Sequence, residues 1–369
     1  MKQLYEDNRI VLTLDAGGTN LVFSAIQACR QIIEPISLPA NAQNLNLCLN
    51  TLETGFGEIK SKLKNEPVAI SFAFPGPADY PNGIIGDLPN LPAFRGGIPL
   101  GPFLEEKFNI PVYINNDGDL FAYGEAMFGS LLYINNKLEE AGLLKRYRNL
   151  VGVTLGTGFG GGTVINGNLL TGDNAAGSEI WLMRNKKYRD CFVEESISIR
   201  AVKRVYTELT GIHSDSLTAK EIFEIAEGIK PGNSEAAIKA FEELGEVLGD
   251  TIANIITIID GLIVIGGGLA GASKYFIPKA IEELNGSIFR TNGDRVNRLE
   301  SKVFNLDDEI ELKNFLSGNF HKVNVPGTKK SVFYETQKRT GILVSKLGTN
   351  LAVSLGAYAF ALNSIDKIN

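Results

Sequence analysis

The sequence predicts a two-domain α/β protein. Two β-rich stretches that surround glycine-rich turns carry this prediction, one at residues 10–26 and one at residues 150–165. A strand, a glycine turn and a second strand are typical of a β-hairpin. One such unit lies in each half of the chain, which indicates two related domains, and 369 residues are enough for two hydrophobic cores.

The other segments alternate between helical and strand periodicity. In the first half we predict a helix at 45–63, a strand at 68–74 closed by Pro75-Gly76-Pro77, a helix at 100–108 and a strand at 112–114. In the second half we predict helices at 119–127 and 136–148, a mostly helical stretch at 196–259, a strand at 262–265 and an apolar helix at 351–362. Residues 285–339 are polar and weakly periodic, which is typical of a peripheral excursion.

These elements give predicted domain boundaries. The first domain spans residues 1–117 and recovers the C-terminal helix at about residues 346–369, and the second spans residues 118–345.

The composition argues against several classes of protein. A net charge of −6 provides no general attraction to nucleic acid or to anionic membranes. No uninterrupted apolar run approaches the roughly 20 residues of a membrane helix, and the polar N-terminus does not resemble a signal peptide. Cys29, Cys48 and Cys191 are far apart and odd in number, so they predict reduced thiols and no disulfide framework. We therefore expect a cytoplasmic protein.

The first candidate site is the glycine turn at residues 15–20. Gly17 and Gly18 let backbone amides approach phosphate oxygens without a Cβ in the way, and the hydroxyl of Thr19 can bond phosphate. Asp15, at the strand end, can hold Mg²⁺ through water. The alternative is an ordinary glycine hairpin.

Two further glycine-rich segments follow strands in the second half. The run at 156–162 contains five glycines in seven residues, an entropic cost that makes sense where the backbone wraps a ligand, although a flexible loop is the alternative. The triplet at 266–268 would let an adenine lie against the backbone, or it is a simple turn after a strand. The candidate residues are Gly156, Thr157, Gly158, Gly266, Gly267 and Gly268.

Asn115-Asn116-Asp117 lies directly after a predicted strand. A carboxylate at a strand end can act as general base toward a sugar hydroxyl, which makes Asp117 the catalytic candidate. The alternative is that Asp117 caps the following helix. Asp119 could provide the cap instead, which would leave Asp117 available for either role.

In this order, the motifs resemble the ROK family (repressors, open reading frames and kinases) of the actin-like ATPase superfamily, over nearly the whole chain. The resemblance implies a two-domain actin-like, ribonuclease H-like fold that binds Mg·ATP and a sugar in an interdomain cleft. It also implies an ATP-dependent kinase acting on a hexose or N-acetylhexosamine hydroxyl, and a homodimer. By the same resemblance, residues 15–20, 156–162 and 266–268 contact the nucleotide, with Asn20 among them. Asp117 is the base, and Asn90 and Asn116 are sugar ligands.

The sequence departs from the family pattern at the sugar end. Glu179 matches a family glutamate, but Leu182 stands where the family has a histidine, and only Cys191 remains of a zinc-binding cysteine cluster. Structural zinc needs about four N or S ligands, so we expect no zinc. Glu194 resembles a second sugar-binding glutamate, unless it is a plain first-turn acid. We therefore predict that the preferred sugar differs from glucose.

Three other functions compete with this interpretation. A transcriptional regulator of the family would carry a helix-turn-helix segment before the first glycine turn, and few residues precede Ile10. A sugar sensor with reduced catalysis would bind sugar without turnover, as loss of the histidine suggests. Another actin-like ATPase is disfavoured by Asn116, Asp117 and the proline-bounded segment at 89–92.

Overall fold

A computed structural model describes residues 2–17, 19–88, 91–212 and 217–368. The helices are α1 (Lys2–Tyr5), α2 (Leu45–Ser61), α3 (Leu100–Phe108), α4 (Asp117–Met127), α5 (Ser130–Glu140), α6 (Ile199–Thr210), α7 (Ala219–Ala226), α8 (Ser234–Ile259), α9 (Ser273–Leu284), α10 (Glu309–Ser317) and α11 (Thr349–Ile368). The strands of the first half are β1 (Val11–Ala16), β2 (Asn20–Gln27), β3 (Arg30–Gln31), β4 (Ile36–Pro39), β5 (Ala69–Ala73), β6 (Ala78–Asp79), β7 (Ile84–Ile85) and β8 (Val112–Asn115). Those of the second half are β9 (Leu150–Leu155), β10 (Phe159–Ile165), β11 (Asn168–Leu169), β12 (Leu262–Gly266), β13 (Ser287–Phe289), β14 (Arg295–Asn297), β15 (Lys302–Asn305), β16 (Phe320–Asn324), β17 (Ser331–Glu335) and β18 (Arg339–Val344).

The chain packs into two compact units. The first comprises residues 1–132, 162–178 and 346–369, and the second comprises residues 133–161 and 179–345. The domain boundaries at 117 and 345 stay a prediction.

The first unit is built on a sheet of order β3-β2-β1-β5-β8, with β4 paired to β2. The antiparallel β1–β2 pair confirms the predicted first hairpin, and β1, β5 and β8 run parallel. Helix α2 packs against β2 and buries Phe56, which contacts Phe23 edge to face at 5.0 Å between ring centroids. Helix α11 packs against β5, β1 and α4, and residues 346–369 belong to this unit.

The α4–α11 contact is unusually close because glycines form it. A Cβ on Gly124 would lie 1.9 Å from the backbone oxygen of Ala352, and a Cβ on Gly356 would lie 2.0 Å from that of Leu120. The two helix backbones therefore touch directly, and this contact fixes the helix that begins at Asp117.

The second sheet has the order β11-β10-β9-β12-β18-β15, in which β9, β12, β18 and β15 are parallel. Residues 162–178, which contain the last part of β10 and all of β11, belong to the first unit. Helices α6 to α9 cover the apolar core of the second unit, and α8 buries an almost continuous apolar stripe. No helix within the described residues is long and apolar enough to cross a membrane.

Two segments differ from the sequence prediction. The helix expected at 136–148 is α5, which begins at Ser130 because Leu131, Ile134 and Leu138 are buried at helical spacing, and it ends before Gly142, whose φ is +73°. The stretch at 285–339 is only partly peripheral. It contains two separate hairpins, but β15 joins the edge of the main sheet through the buried Val303 and Phe304.

Candidate active site

The turn between β1 and β2 presents an exposed carboxylate beside a tight backbone turn. The Gly17 N–H donates to the Asn20 carbonyl oxygen at 3.0 Å, and a Cβ on Gly17 would lie 2.9 Å from that oxygen. Asp15, Gly17, Thr19 and Asn20 are exposed, and no described residue forms a hydrogen bond or ion pair with the Asp15 carboxylate. The turn thus combines a carboxylate that is open to solvent with accessible backbone groups. Gly18 lies outside the described residues.

The segment after β8 places two polar side chains at the start of α4. Asn116 is the N-cap, and its Oδ1 accepts the Gly118 N–H at 2.8 Å. Asp117 is the first helical residue, is exposed, and accepts the same N–H at 2.9 Å through Oδ1. The cap is therefore provided by Asn116 rather than by Asp117 or by the buried Asp119, because Asn116 alone has the extended backbone that a cap requires.

The sheet brings these two sites to one edge of the first unit. Ala73 of β5 pairs with Asn115 of β8, and Leu12 of β1 pairs with Ile70 of β5. Parallel strands end at the same edge of a sheet, and neighbouring strands lie about 4.8 Å apart. Two strand spacings separate Asp15 from Asn115, which puts them roughly 10 Å apart at this edge.

The second glycine loop is held by a glutamate. The Gly156 N–H donates to the Gly158 carbonyl at 3.0 Å, which makes a tight turn between β9 and β10. Oε2 of Glu194 accepts the Phe159 N–H at 2.9 Å, and a Cβ on Gly158 would lie 2.6 Å from that oxygen. On the other side of the turn, the Ile199 N–H donates to the Gly156 carbonyl at 2.8 Å.

The glycines of this run serve different purposes. A Cβ on Gly160 would lie 2.5 Å from Oγ1 of Thr154, and one on Gly161 would lie 2.3 Å from Cδ1 of Ile180, so both glycines permit close packing inside the unit. In contrast, a Cβ on Gly156 would meet no atom within 4 Å, which leaves its outer face open. Internal contacts therefore explain Gly160 and Gly161, whereas the role of Gly156 in binding a ligand stays a prediction.

The third glycine element lies beside the second. Gly266 of β12 pairs with Thr154 of β9, and Gly267, with φ of +87°, passes so close to β9 that a Cβ would lie 2.3 Å from the Leu155 carbonyl oxygen. Gly268 is open and begins a 3₁₀ turn that leads into α9. The ends of β9 and β12 thus bring the loops at 156–158 and 266–268 together at one edge of the second unit.

The segment after residue 178 carries the two candidate sugar-binding glutamates. Glu179 is exposed and accepts a hydrogen bond from the indole N–H of Trp181, whose ring contacts Phe192 edge to face at 5.6 Å between centroids. Leu182, in place of the family histidine, is 57% exposed.

Glu194 differs from Glu179 because both of its oxygens are engaged. Oε2 bonds Phe159, and Oε1 pairs with Arg200 at 3.1 Å, so 19% of the side chain remains exposed. Arg200 was not among the sequence candidates, although an arginine six residues after a glutamate pair is a usable charge signal.

Two sequence predictions, the lack of zinc and the role of Asn90, stay predictions. Within the described residues, no group of three or more His, Cys, Asp or Glu side chains is arranged to hold a metal ion. Asn90 lies outside the described residues, so its place at the site stays a prediction.

The sequence profile of the ROK family matches residues 11–302, and the chain belongs to that family. A glucokinase from Parabacteroides distasonis whose crystal structure is known is 59% identical to this chain in sequence. The two structures have a TM-score of 0.89, and the alignment covers 98% of this chain and 99% of that one. A glucokinase of Halalkalibacterium halodurans is 28% identical over 72% of this chain and 82% of its own length. An N-acetyl-D-glucosamine kinase of Vibrio cholerae is 28% identical over 72% of this chain and 87% of its own.

These similarities confirm two sequence predictions. The chain is a ROK protein, and its α/β fold is the two-domain actin-like fold of the ROK sugar kinases.

Proposed function

We propose that Asp117 is the general base of this chain, which is an ATP-dependent sugar kinase. The supporting observation is the exposed Asp117 carboxylate at the first turn of α4, where the Gly118 N–H bonds only Oδ1. Among the described residues none donates to Oδ2, so that oxygen is free to accept a proton.

The reaction moves one phosphoryl group. Asp117 takes the proton of the sugar hydroxyl while the hydroxyl oxygen bonds to the γ-phosphorus of ATP. The bond from that phosphorus to the bridging oxygen breaks, and ADP leaves. Because little covalent chemistry is left to the protein, positioning provides most of the catalysis. For Asp117, that positioning would come from the Asn116 cap and from the close contact of α4 with α11.

Asn116 is proposed to orient the sugar beside the base. Its Oδ1 is used by the helix cap, which leaves the amide Nδ2 as a donor toward a hydroxyl. Asn90, Glu179 and Glu194 are the further proposed sugar ligands. Glu179 bonds Trp181 through Oε2 and keeps Oε1 for a hydroxyl, and each oxygen of Glu194 can accept a second hydrogen bond beside those from Phe159 and Arg200.

ATP is proposed to contact the three glycine elements. Gly17, Thr19 and Asn20 offer exposed backbone and hydroxyl groups, and Gly156 and Gly268 have open faces. Thr157 is exposed at the tip of the second loop. A glycine backbone that no side chain shields is suited to phosphate oxygens and to a flat base.

Mg²⁺ is proposed to accompany ATP, held through water by Asp15. The residue fits this role because its carboxylate is exposed and bonded to no described residue, and hard oxygen ligands are those Mg²⁺ prefers. When bound, the ion would neutralise phosphate charge.

The sugar, the assembly and the location are finer proposals. Glucose and N-acetylglucosamine are the first sugars to test, since the similar proteins are named for them. A homodimer rests on the family resemblance, and light scattering after size exclusion would test it. A cytoplasmic location rests on the three widely separated cysteines and would be tested by fractionating cells.

The deciding experiment measures ADP release with Mg·ATP across hexoses, N-acetylhexosamines and their epimers. Asp117→Asn keeps an oxygen for the Gly118 N–H but removes the base, so kcat should fall at least about 100-fold. The matched control is Asp308→Asn, an exposed aspartate that caps α10, where asparagine caps equally well.

Each outcome of this experiment favours one function. Sugar-dependent turnover that collapses in Asp117→Asn and persists in Asp308→Asn supports the kinase with this base. Equal turnover in all three proteins overturns the role of Asp117. Sugar binding by calorimetry without any turnover favours the sensor function instead.

A further inference from the structure

The segment from Met183 to Val193 is a closed loop within the second unit. The Val193 N–H donates to the Met183 carbonyl at 2.8 Å, and Arg184 forms a β-bridge with Phe192. The tip is attached to α9 by an ion pair between Lys186 and Glu283 at 2.7 Å. Exposed ion pairs of this kind contribute little, so they do not account for the closed shape by themselves.

A buried amide lies at the centre of this loop. Asn185 is 1% exposed, and its Oδ1 accepts the N–H groups of Lys187 at 2.9 Å and Tyr188 at 3.1 Å. Its Nδ2 donates to Oγ of Ser196 at 2.8 Å and to the carbonyl of Phe192 at 3.4 Å. Thus one side chain bonds both the tip of the loop and the segment that leaves it.

The segment that leaves the loop carries Glu194. Glu194 lies in the 3₁₀ turn Val193–Glu195, and both Val193 and the residue after the turn, Ser196, are buried. Its carboxylate accepts the Phe159 N–H directly after Gly158. A path of hydrogen bonds therefore runs from Asn185 through the 192–196 segment to the second glycine loop.

We propose that Asn185 is a positioning residue that closes the 183–193 loop and thereby sets the Glu194 carboxylate against the glycine loop at 156–159. The proposal adds to the proposed function, in which Glu194 is a sugar ligand and the glycine loop contacts ATP. Its structural part is independent of turnover, because the bond from Phe159 to Glu194 can be followed without substrate.

Amide hydrogen exchange at Phe159 tests the structural part. The full-length protein is compared with Asn185→Ala, Glu194→Ala and the double variant. We expect Asn185→Ala to speed exchange of this amide about tenfold or more, because its acceptor moves away. In the Glu194→Ala background the acceptor is already gone, so the same substitution should change exchange less than twofold.

The kinetic part uses the same variants with sugar and Mg·ATP. Asn185→Ala should raise the sugar KM about tenfold in the otherwise native chain and less than twofold in Glu194→Ala. Asn285→Ala is the matched control, since that amide also bonds an N–H and a carbonyl, both of Val303, but remote from the glycine loop. It should leave both the sugar KM and Phe159 exchange unchanged.

A conservative variant protects the test against simple misfolding. Asn185→Asp keeps an acceptor for Lys187 and Tyr188 and can accept the Ser196 hydroxyl, so it should restore much of the Phe159 protection. Equal effects of Asn185→Ala in both backgrounds, or no local effect at Phe159, would overturn the proposal. Absence of turnover in the wild type with the exchange pattern intact would overturn the kinase assignment alone.

Discussion

The glycine contact between α4 and α11 gives the sharpest stability prediction. In Gly124→Ala the new Cβ would lie 1.9 Å from the Ala352 carbonyl oxygen, whereas real Cβ atoms essentially never come nearer than 3.0 Å. The two helices must therefore separate by at least 1.1 Å, the difference between these distances. Neither side of the contact is a flexible side chain, so the strain cannot be relieved by a rotamer change.

The magnitude follows from two opposing effects. Overpacking of a core contact costs about 1–3 kcal/mol. We expect the upper end of this range, about 3 kcal/mol, because both contacting groups are helix backbones. Alanine is better than glycine inside a helix by about 1 kcal/mol, which offsets part of this cost. The free energy of unfolding should therefore fall by about 2 kcal/mol. For a unit of this size, Tm should fall by roughly 4–8 °C.

The matched control is Gly57→Ala in α2, where the new Cβ meets no atom within 4 Å. This variant should gain stability by up to about 1 kcal/mol, so the two substitutions should have opposite signs. Urea unfolding followed by circular dichroism measures both. Because α4 begins at Asp117, a shift of about 1 Å should also lower kcat/KM by up to about 100-fold. An unchanged unfolding midpoint in Gly124→Ala would refute the described helix contact.

Two further predictions concern pH and specificity. Burial raises the pKa of Asp7, but hydrogen bonds from Arg9 outweigh this effect and lower it. The same arginine lowers the pKa of Asp366. Both carboxylates therefore add stability that is fully present above their unfolded pKa and is lost as the pH falls through the lower folded pKa. Arg9→Gln should lower the free energy of unfolding by about 1 kcal/mol at pH 7, a small effect because these ion pairs are partly exposed. The difference in unfolding free energy from wild type should shrink as the pH is lowered below about 4. A difference that stays constant with pH would argue against this linkage. Leu182→His places an imidazole at a 57% exposed position, and we expect it to raise glucose turnover relative to other sugars; equal glucose kcat/KM in both proteins would contradict the predicted shift of specificity away from glucose.

The sequence could predict the glycine turns because runs of glycine stand directly beside β-rich segments. The hairpin at β1–β2, the strand that ends before Gly156 and the strand that ends at Gly266 were predicted from β-rich runs next to glycines, whereas the parallel pairing of the last two was not. The separate reasons for each glycine could not be predicted, since they depend on tertiary neighbours. Gly158 makes room for Glu194 and Gly161 for Ile180, and neither partner is near in sequence.

Weak periodicity explains the less accurate predictions. Strand β15 has four residues and buries only Val303 and Phe304, so it carries too few alternations to be separated from the polar stretch around it. The role of Asn116 as helix cap was missed for another reason. Three successive polar residues, Asn115 to Asp117, are all good caps, and the backbone conformation decides among them.

The 183–193 loop contains a candidate positioning residue, Asn185, that residue types alone do not reveal. Metal ligands are recognisable in a sequence because cysteine and histidine recur at set spacings. The sequence therefore showed that, of the family's zinc ligands, only Cys191 is present in this segment. A buried amide leaves no such pattern. Asn185 bonds three backbone groups and one hydroxyl, and those partners exist only once the loop has closed around it. Each of these hydrogen bonds contributes about 0.5–1.5 kcal/mol net to the closed loop, and a side chain that stays buried without them would cost about 1–3 kcal/mol. The position of Glu194 thus depends on a residue that composition and spacing could not single out.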